Sequence, residues 1–165
     1  MKTVSHPCND LMSACIELAR ESLDRGSYPI GSIVVDKCGC VLGKGRNTLL
    51  TDVDPTGHPE ILAIREACQS VKSRYLEGAF LYSTLEPCPM CTAAAIWAKM
   101  AGIVYGSSQA DAIAYSQRNK SQLFTWRQIE VPCEHVVERG TPRLKVFRGV
   151  ERDRCNALFL LTRGK

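Results

Sequence analysis

The amino-acid sequence predicts an α/β fold, a three-layer α-β-α sandwich around a central mixed five-stranded sheet. Three observations carry this. Short apolar strands alternate with helical stretches, which points to a sheet covered on both faces. The first two strands are separated only by a turn and therefore pair antiparallel. The later strands are separated by helical crossovers, which favour parallel pairing.

The elements follow in order. Residues 7–25 place Leu11, Met12, Cys15, Ile16, Leu18, Ala19 and Leu23 on a helical stripe, and Gly26 stops it. Ile30 to Val35 is a short β-branched run, Asp36-Lys37-Cys38-Gly39 punctuates, and Cys40 to Leu42 resumes, so this stretch reads as a hairpin. A polar loop containing Asp52, Asp54, Pro55 and Gly57 follows. Glu60 to Val71 reads as a helix with His58 at its N-terminal edge, and Ala79 to Thr84 as a strand. Cys88 to Met100 is apolar nearly all round, which predicts a buried helix. Ile103 to Tyr105 is a strand ended by Gly106, and Ala110 to Arg118 a helix. Residues 119–141 carry too weak a pattern for any assignment. Leu144 to Phe147 reads as the fifth strand and Glu151 to Leu161 as the closing helix.

A chain of 165 residues with 45% hydrophobic and 23% charged residues is the size and composition of one globular domain, and residues 1–165 are expected to form a single unit. No apolar run reaches transmembrane length, and residues 1–10 lack the apolar core of a signal peptide. A cytoplasmic location is expected. Nine cysteines, an odd number, argue against a disulfide framework and for small core residues or free thiols. Cys38-Gly39-Cys40 lacks a nearby partner pair for a second metal site. The net charge of +4 is mild. Its cations concentrate in Arg139, Arg143, Lys145, Arg148, Arg152, Arg154, Arg163 and Lys165, faced by only Glu151 and Asp153. Without interleaved aromatics this reads as a solvated face rather than a nucleic-acid surface.

Two short words carry the chemistry. His58-Pro59-Glu60 and Pro87-Cys88-Pro89-Met90-Cys91 together read H-x-E … P-C-x-x-C. One imidazole and two thiolates are three ligands for one tetrahedral zinc per chain, leaving a fourth position for water. Cys88 and Cys91 stand three apart at a helix start, so both thiols share one face there, and the helix dipole favours their thiolates. Zinc lowers the pKa of its bound water towards ~7. Glu60 is then placed to take the water proton and return it to a leaving amine, the work of a general acid–base. The pattern is the signature of zinc deaminases acting on nucleobases. A structural zinc needs four ligands, and the other histidines are only His6 and His135. A zinc-stabilised interaction module has no need for the carboxylate of Glu60.

With these residues in hand, the chain resembles the cytidine deaminase-like superfamily over roughly Leu11 to Gly106, more weakly to the end. The resemblance implies that Asn47, ending Gly43-Lys44-Gly45-Arg46-Asn47, hydrogen-bonds the bound base. Asp54-Pro55-Thr56-Gly57-His58-Pro59-Glu60 and Glu86-Pro87-Cys88-Pro89-Met90-Cys91 resemble the guanine deaminase and nucleoside deaminase branch. This implies substrate contacts from Pro59, Trp97, Tyr28 and Asp111 as well. Tyr28 is expected to supply a stacking ring, because Ile30 stands where that branch usually has Phe. Arg118 and Asn119 replace acids that this branch carries, and Pro59 replaces its usual alanine. The resemblance implies hydrolytic deamination of a nucleobase or nucleoside, guanine or guanosine first, and a homodimer. Thr84-Leu85-Glu86-Pro87-Cys88 and Asp153-Arg154-Cys155-Asn156-Ala157-Leu158 resemble the tRNA adenosine deaminase branch, which makes tRNA the second substrate class. Cytosine deaminases use the same two words.

Overall fold

In the computed structural model, which describes residues 4–121, 123–126 and 129–163, the chain is a five-stranded mixed sheet between two helical layers. The elements are α1 (Asn9–Asp24), β1 (Gly31–Val35), β2 (Val41–Arg46), α2 (Pro59–Val71), β3 (Phe80–Leu85), α3 (Pro89–Trp97), β4 (Gly102–Ser107), α4 (Gln109–Arg118), α5 (Cys133–Glu138), β5 (Lys145–Phe147) and α6 (Arg152–Leu160). The strand order is β2-β1-β3-β4-β5. β1 runs antiparallel to β2 and β3, and β3, β4 and β5 run parallel, as the turn and crossover lengths predict.

Side-chain alternation divides the core. Val34, Leu81, Ile103 and Tyr105 face α2, α3 and α5, where they meet Ala63, Ala67, Ala95 and Val137. Ile33, Val35, Tyr82 and Val104 face α1 and α6, meeting Met12, Cys15, Ile16, Cys155 and Leu158. A strand buried on both faces reads as a continuous apolar run, which is why β1 and β3 are legible and why their polarity does not alternate.

Two glycines set the spacing of the layers. At Gly45 a side chain would collide with the backbone of Pro59 and Ala63, so β2 and the first turn of α2 touch main chain to main chain. Gly106 was expected to end its strand; instead it lies inside β4, where a Cβ would overlap Cys155 of α6. It marks a close approach rather than a stop.

Two other expectations need correction. α3 is not buried all round: Met90 and Trp97 are exposed and Ala93, Ala94 and Ile96 half-buried. Met90 and Trp97 stay exposed on its outer side, so composition alone overstated its burial. Within residues 119–141 a short helix, α5, packs on α3 and carries Cys133 and Val137 into the core. Six residues are too few to display a helical period.

Three cations of the basic stretch are ion-paired. Arg152 binds Asp111 at 2.6 Å, Arg154 binds Glu151 at 3.1 Å and Arg148 approaches Glu134 at 3.7 Å. Lys165 lies outside the described residues. All nine cysteines are free thiols, and Cys38 and Cys40 sit in a turn where both N–H groups donate to Asp36 Oδ1. No helix among the described residues is long and apolar enough to cross a membrane.

Candidate metal centre and active site

The pairing pattern brings the start of β1 and the ends of β2, β3 and β4 to one edge of the sheet. Two of the loops leaving that edge carry the candidate ligands. After β2 the chain reaches Asn47 and then His58, the N-cap of α2, with Pro59 at the first helical position. After β3 it reaches Cys88, the N-cap of α3. Proline after each cap has a fixed φ suited to the helix and lacks a donor that would go unpaired there.

These two junctions converge. His58 Nδ1 lies 3.7 Å from Cys88 Sγ and 3.5 Å from Cys91 Sγ, and the two sulfurs are 3.6 Å apart. Tetrahedral zinc with bonds of ~2.3 Å to sulfur and ~2.0–2.1 Å to nitrogen spans edges of roughly 3.8 Å between sulfurs and roughly 3.6 Å from sulfur to nitrogen. The triangle fits zinc without rearrangement. Hydrogen bonding from Cys91 and His58 holds the Cys88 thiol down at about 4, a thiolate, while the pairing with Cys88 and burial push Cys91 up. The hydrogen bond to Cys88 raises the pKa of His58. The triad thus collects negative charge that a cation would complete.

Glu60, in the first turn of α2, is 3% exposed. Ser83 of β3 donates to its Oε1 at 2.6 Å, and its Oε2 lies 3.4 Å from Cys91 Sγ. Burial raises its pKa, opposed by His58 and by the Ser83 hydrogen bond. A carboxylate beside the metal triangle whose protonated form burial favours is equipped to carry a proton.

Asn47 is 2% exposed. Its Oδ1 accepts from Ser27 Oγ at 2.7 Å and from the Leu49 N–H at 3.1 Å. Because the Leu49 N–H can only donate, the amide orientation is fixed and Nδ2 is left as a donor with no partner among the described residues. Its backbone is held too: its N–H donates to Ile30 O, and Ser22 Oγ donates to its carbonyl.

Pro59 is buried at the start of α2 against Gly45, beside the triangle. Three other expected contacts are placed differently. Trp97 is 81% exposed at the far end of α3, six residues beyond Cys91, on a groove of about 620 Å³ with Tyr75, Ala93, Ile96, His135 and Gly140. The outward stripe of α3, not the metal end, holds it. Asp111 has both oxygens engaged: it completes a capping box with Ser108 on α4 and binds Arg152 through Oδ1 and Oδ2. These partners, led by Arg152, hold its carboxyl below the usual range. It is a helix cap. Tyr28 does not offer an open ring: it stands edge-on to Phe124 at 5.2 Å and Trp126 at 5.1 Å, and its hydroxyl accepts from the Thr125 N–H.

Ser83 and Glu86 were missed as site residues in the sequence. A serine in an otherwise apolar buried strand was the signal for the first. Glu86, 7% exposed, accepts from the Gln109 N–H and the Cys133 N–H, both at 2.9 Å. One carboxylate next to the cysteine turn therefore ties down the starts of α4 and α5. Glu86, Cys133 and Glu134 form the other cluster of metal-competent groups among the described residues, and both Glu86 oxygens are occupied by those backbone donors.

An α/β sheet with a His-Cys-Cys triangle and a buried carboxylate at its edge has the build of a zinc hydrolase. Residues 6–107 match the family described as "Cytidine and deoxycytidylate deaminase zinc-binding region", and the chain belongs to that family. It is 33% identical to the guanine deaminase of Bacillus subtilis (strain 168) over 136 residues, 82% of this chain and 83% of that one. It is 36% identical to the tRNA-specific adenosine deaminase of Aquifex aeolicus over 96 residues, 58% of this chain and 63% of that protein. It is 40% identical to the tRNA(Ile)-lysidine synthase of Deinococcus radiodurans over 102 residues, 62% of this chain but only 18% of that longer protein. Among solved structures, the guanine deaminase from Nitrosomonas europaea superposes with a TM-score of 0.80 at 22% identity, covering 97% of this chain and 86% of that one. That likeness concerns the fold.

Proposed function

We propose that the chain is a zinc-dependent aminohydrolase of a purine base or nucleoside, with guanine or guanosine first, converting an amino-bearing ring carbon to a carbonyl and releasing ammonia. The observation that carries it is the Glu60 carboxylate, buried, braced by Ser83 and turned by its second oxygen towards the His58-Cys88-Cys91 triangle. A structural zinc has no use for it.

Bound zinc supplies the charge that makes water nucleophilic at neutral pH. The protein's own groups do the rest. Glu60 takes one proton of the water and delivers it to the ring nitrogen, then moves the remaining proton of the added hydroxyl to the departing amine, so the carbon becomes a carbonyl as ammonia leaves. Ser83 donates to Oε1, so Oε2 is the oxygen left to shuttle. Asn47 Nδ2 donates to an acceptor on the base and fixes its orientation. Likeness to the Bacillus subtilis guanine deaminase over most of both chains supports a free purine. The sequence likeness to the tRNA-specific adenosine deaminase of Aquifex aeolicus is shorter, 96 residues against 136. The exposed stripe of α3 with Trp97 supports a homodimer through that face.

The test is ammonia release from guanine, guanosine, adenine, adenosine, cytosine, cytidine and tRNA carrying an anticodon adenosine. Turnover of guanine or guanosine is expected. Turnover of tRNA alone, or of cytosine alone, would replace the substrate while keeping the residues' roles.

A further inference from the structure

The stretch Leu123–Trp126, between α4 and α5, lies at the site's edge of the sheet. Phe124 and Trp126 pack with Leu23 of α1, Leu85 of β3, Ala112 of α4 and Phe159 of α6, and Tyr28, Ile30 and Leu50 pack against them. These neighbours flank the loops that hold the site. Leu85 directly precedes the Glu86-Pro87-Cys88 turn. Ile30 O accepts the Asn47 N–H, and the Leu50 N–H donates to Ser27 Oγ, the group that holds Asn47 Oδ1. The cluster is the apolar wall beside Asn47.

Trp126 departs twice from what an ordinary wall residue needs. It is 4% exposed, yet its indole Nε1 is a buried donor with no partner among the described residues. Its φ is +46°, a left-handed conformation unfavourable for a bulky residue. The surroundings impose both. The Thr125 N–H donates to Tyr28 OH at 3.2 Å, Ser116 Oγ donates to Thr125 O at 3.2 Å, and the rings of Tyr28 and Phe159 stand edge-on to the indole at 5.1 and 4.8 Å. A buried N–H without an acceptor is destabilising unless something fills it. Strain that surrounding contacts hold in place collects at binding sites.

We propose that Trp126 is a base-reading residue: its indole N–H donates to a carbonyl oxygen or unprotonated ring nitrogen of the purine, on an edge turned away from the metal triangle. This rests on the proposed function and adds to it a second donor, so Asn47 Nδ2 and Trp126 Nε1 together select a base presenting two acceptors.

Trp126→Phe keeps the ring and removes the donor. On guanine, kcat/KM is expected to fall roughly 10- to 100-fold, because the substrate's acceptor is buried without a partner. Zinc content should hold at one per chain, and Tm should stay level or rise, since an unfilled donor is gone. Trp126 and Trp97 are the chain's two tryptophans, so in a Trp97→Phe background guanine should shift the emission of Trp126. If Trp126→Phe melts far below the parent, this titration alone decides. Unchanged kcat/KM in a folded Trp126→Phe overturns the proposal, as does emission unmoved by saturating guanine; the donor's partner is then a buried water. If the unsubstituted protein neither binds nor turns over any purine, the proposed function falls and this inference with it, a failure visible before any variant is made.

Discussion

Gly45 offers a way to move the catalytic apparatus without touching any catalytic atom. An added Cβ would stand 2.8 Å from Pro59 C and 2.9 Å from Ala63 N, and closer still to Pro59 O. All three are backbone atoms at the start of a helix, so no side-chain rotation relieves the overlap. Ordinary contact begins at 3.4 Å. The first turn of α2 must therefore retreat by on the order of 1 Å in a close-packed interior. His58 and Glu60 ride on that turn, while Cys88 and Cys91 are fixed to β3 and α3. Gly45→Ala should thus open the triangle and pull the carboxylate off line. Overpacking costs about 1–3 kcal/mol of stability, and a displacement near 1 Å costs about 10²-fold in rate. The assay is kcat/KM for ammonia release from guanine, with zinc content and urea denaturation measured on the same preparations. The expected result is a loss of at least about 10²-fold and a lower urea midpoint. Gly45→Ala with activity within a factor of three and an unchanged midpoint would refute the claim that main-chain contact between β2 and α2 sets the position of the site.

Other outcomes are equally specific. Glu60→Ala should lose more than the ~10²–10⁴ usual for one proton-transfer residue, with zinc still bound; retained ammonia release would assign the shuttle elsewhere. Cys88→Ala should lose zinc by metal analysis and with it all turnover. Asp111→Asn should lower Tm at neutral pH, because a carboxyl whose pKa is depressed by Arg152 and the α4 cap stabilises the fold above its unfolded pKa. That contribution is lost as pH falls through the depressed folded value, so melts of the two proteins should converge at the acid end, and a constant gap would contradict it. Trp97→Glu should shift sedimentation towards monomer; sedimentation matching the unsubstituted protein would remove the α3 face as the dimer contact.

The His58-Cys88-Cys91 cluster and the carboxylate of Glu60 beside it were legible because zinc chemistry fixes both residue type and spacing at two helix starts. β1, β3 and β4 were legible because they are short apolar runs between punctuating turns, whereas β2 runs on through the mixed stretch Gly43-Lys44-Gly45-Arg46 beyond the expected Leu42. What the sequence left unread is legible only in three dimensions. The outward stripe of α3 has the same alanines and aromatics as a buried helix, and only the neighbours reveal the difference. Asp111 stands three residues after Ser108, a capping pattern that reads as plainly as any motif, but its pairing with Arg152 of α6 shows only in the fold. Tyr28 keeps its aromatic character, but its partners Phe124 and Trp126 come from a segment about one hundred residues away without helical or strand periodicity. Long-range ring packing leaves no local trace.

Glu86 has a wider consequence. Its two oxygens hold the starts of α4 and α5, and its backbone leads directly into the cysteine turn. The half of the chain that carries the metal chemistry and the half that follows β4 thus share a single fixed reference. Rebuilding the wall around Leu123–Trp126 leaves that reference in place, so the choice of ring can be altered while the water-activating machinery stays registered. Replacing Glu86 itself does the opposite: both halves keep their own parts and lose their alignment.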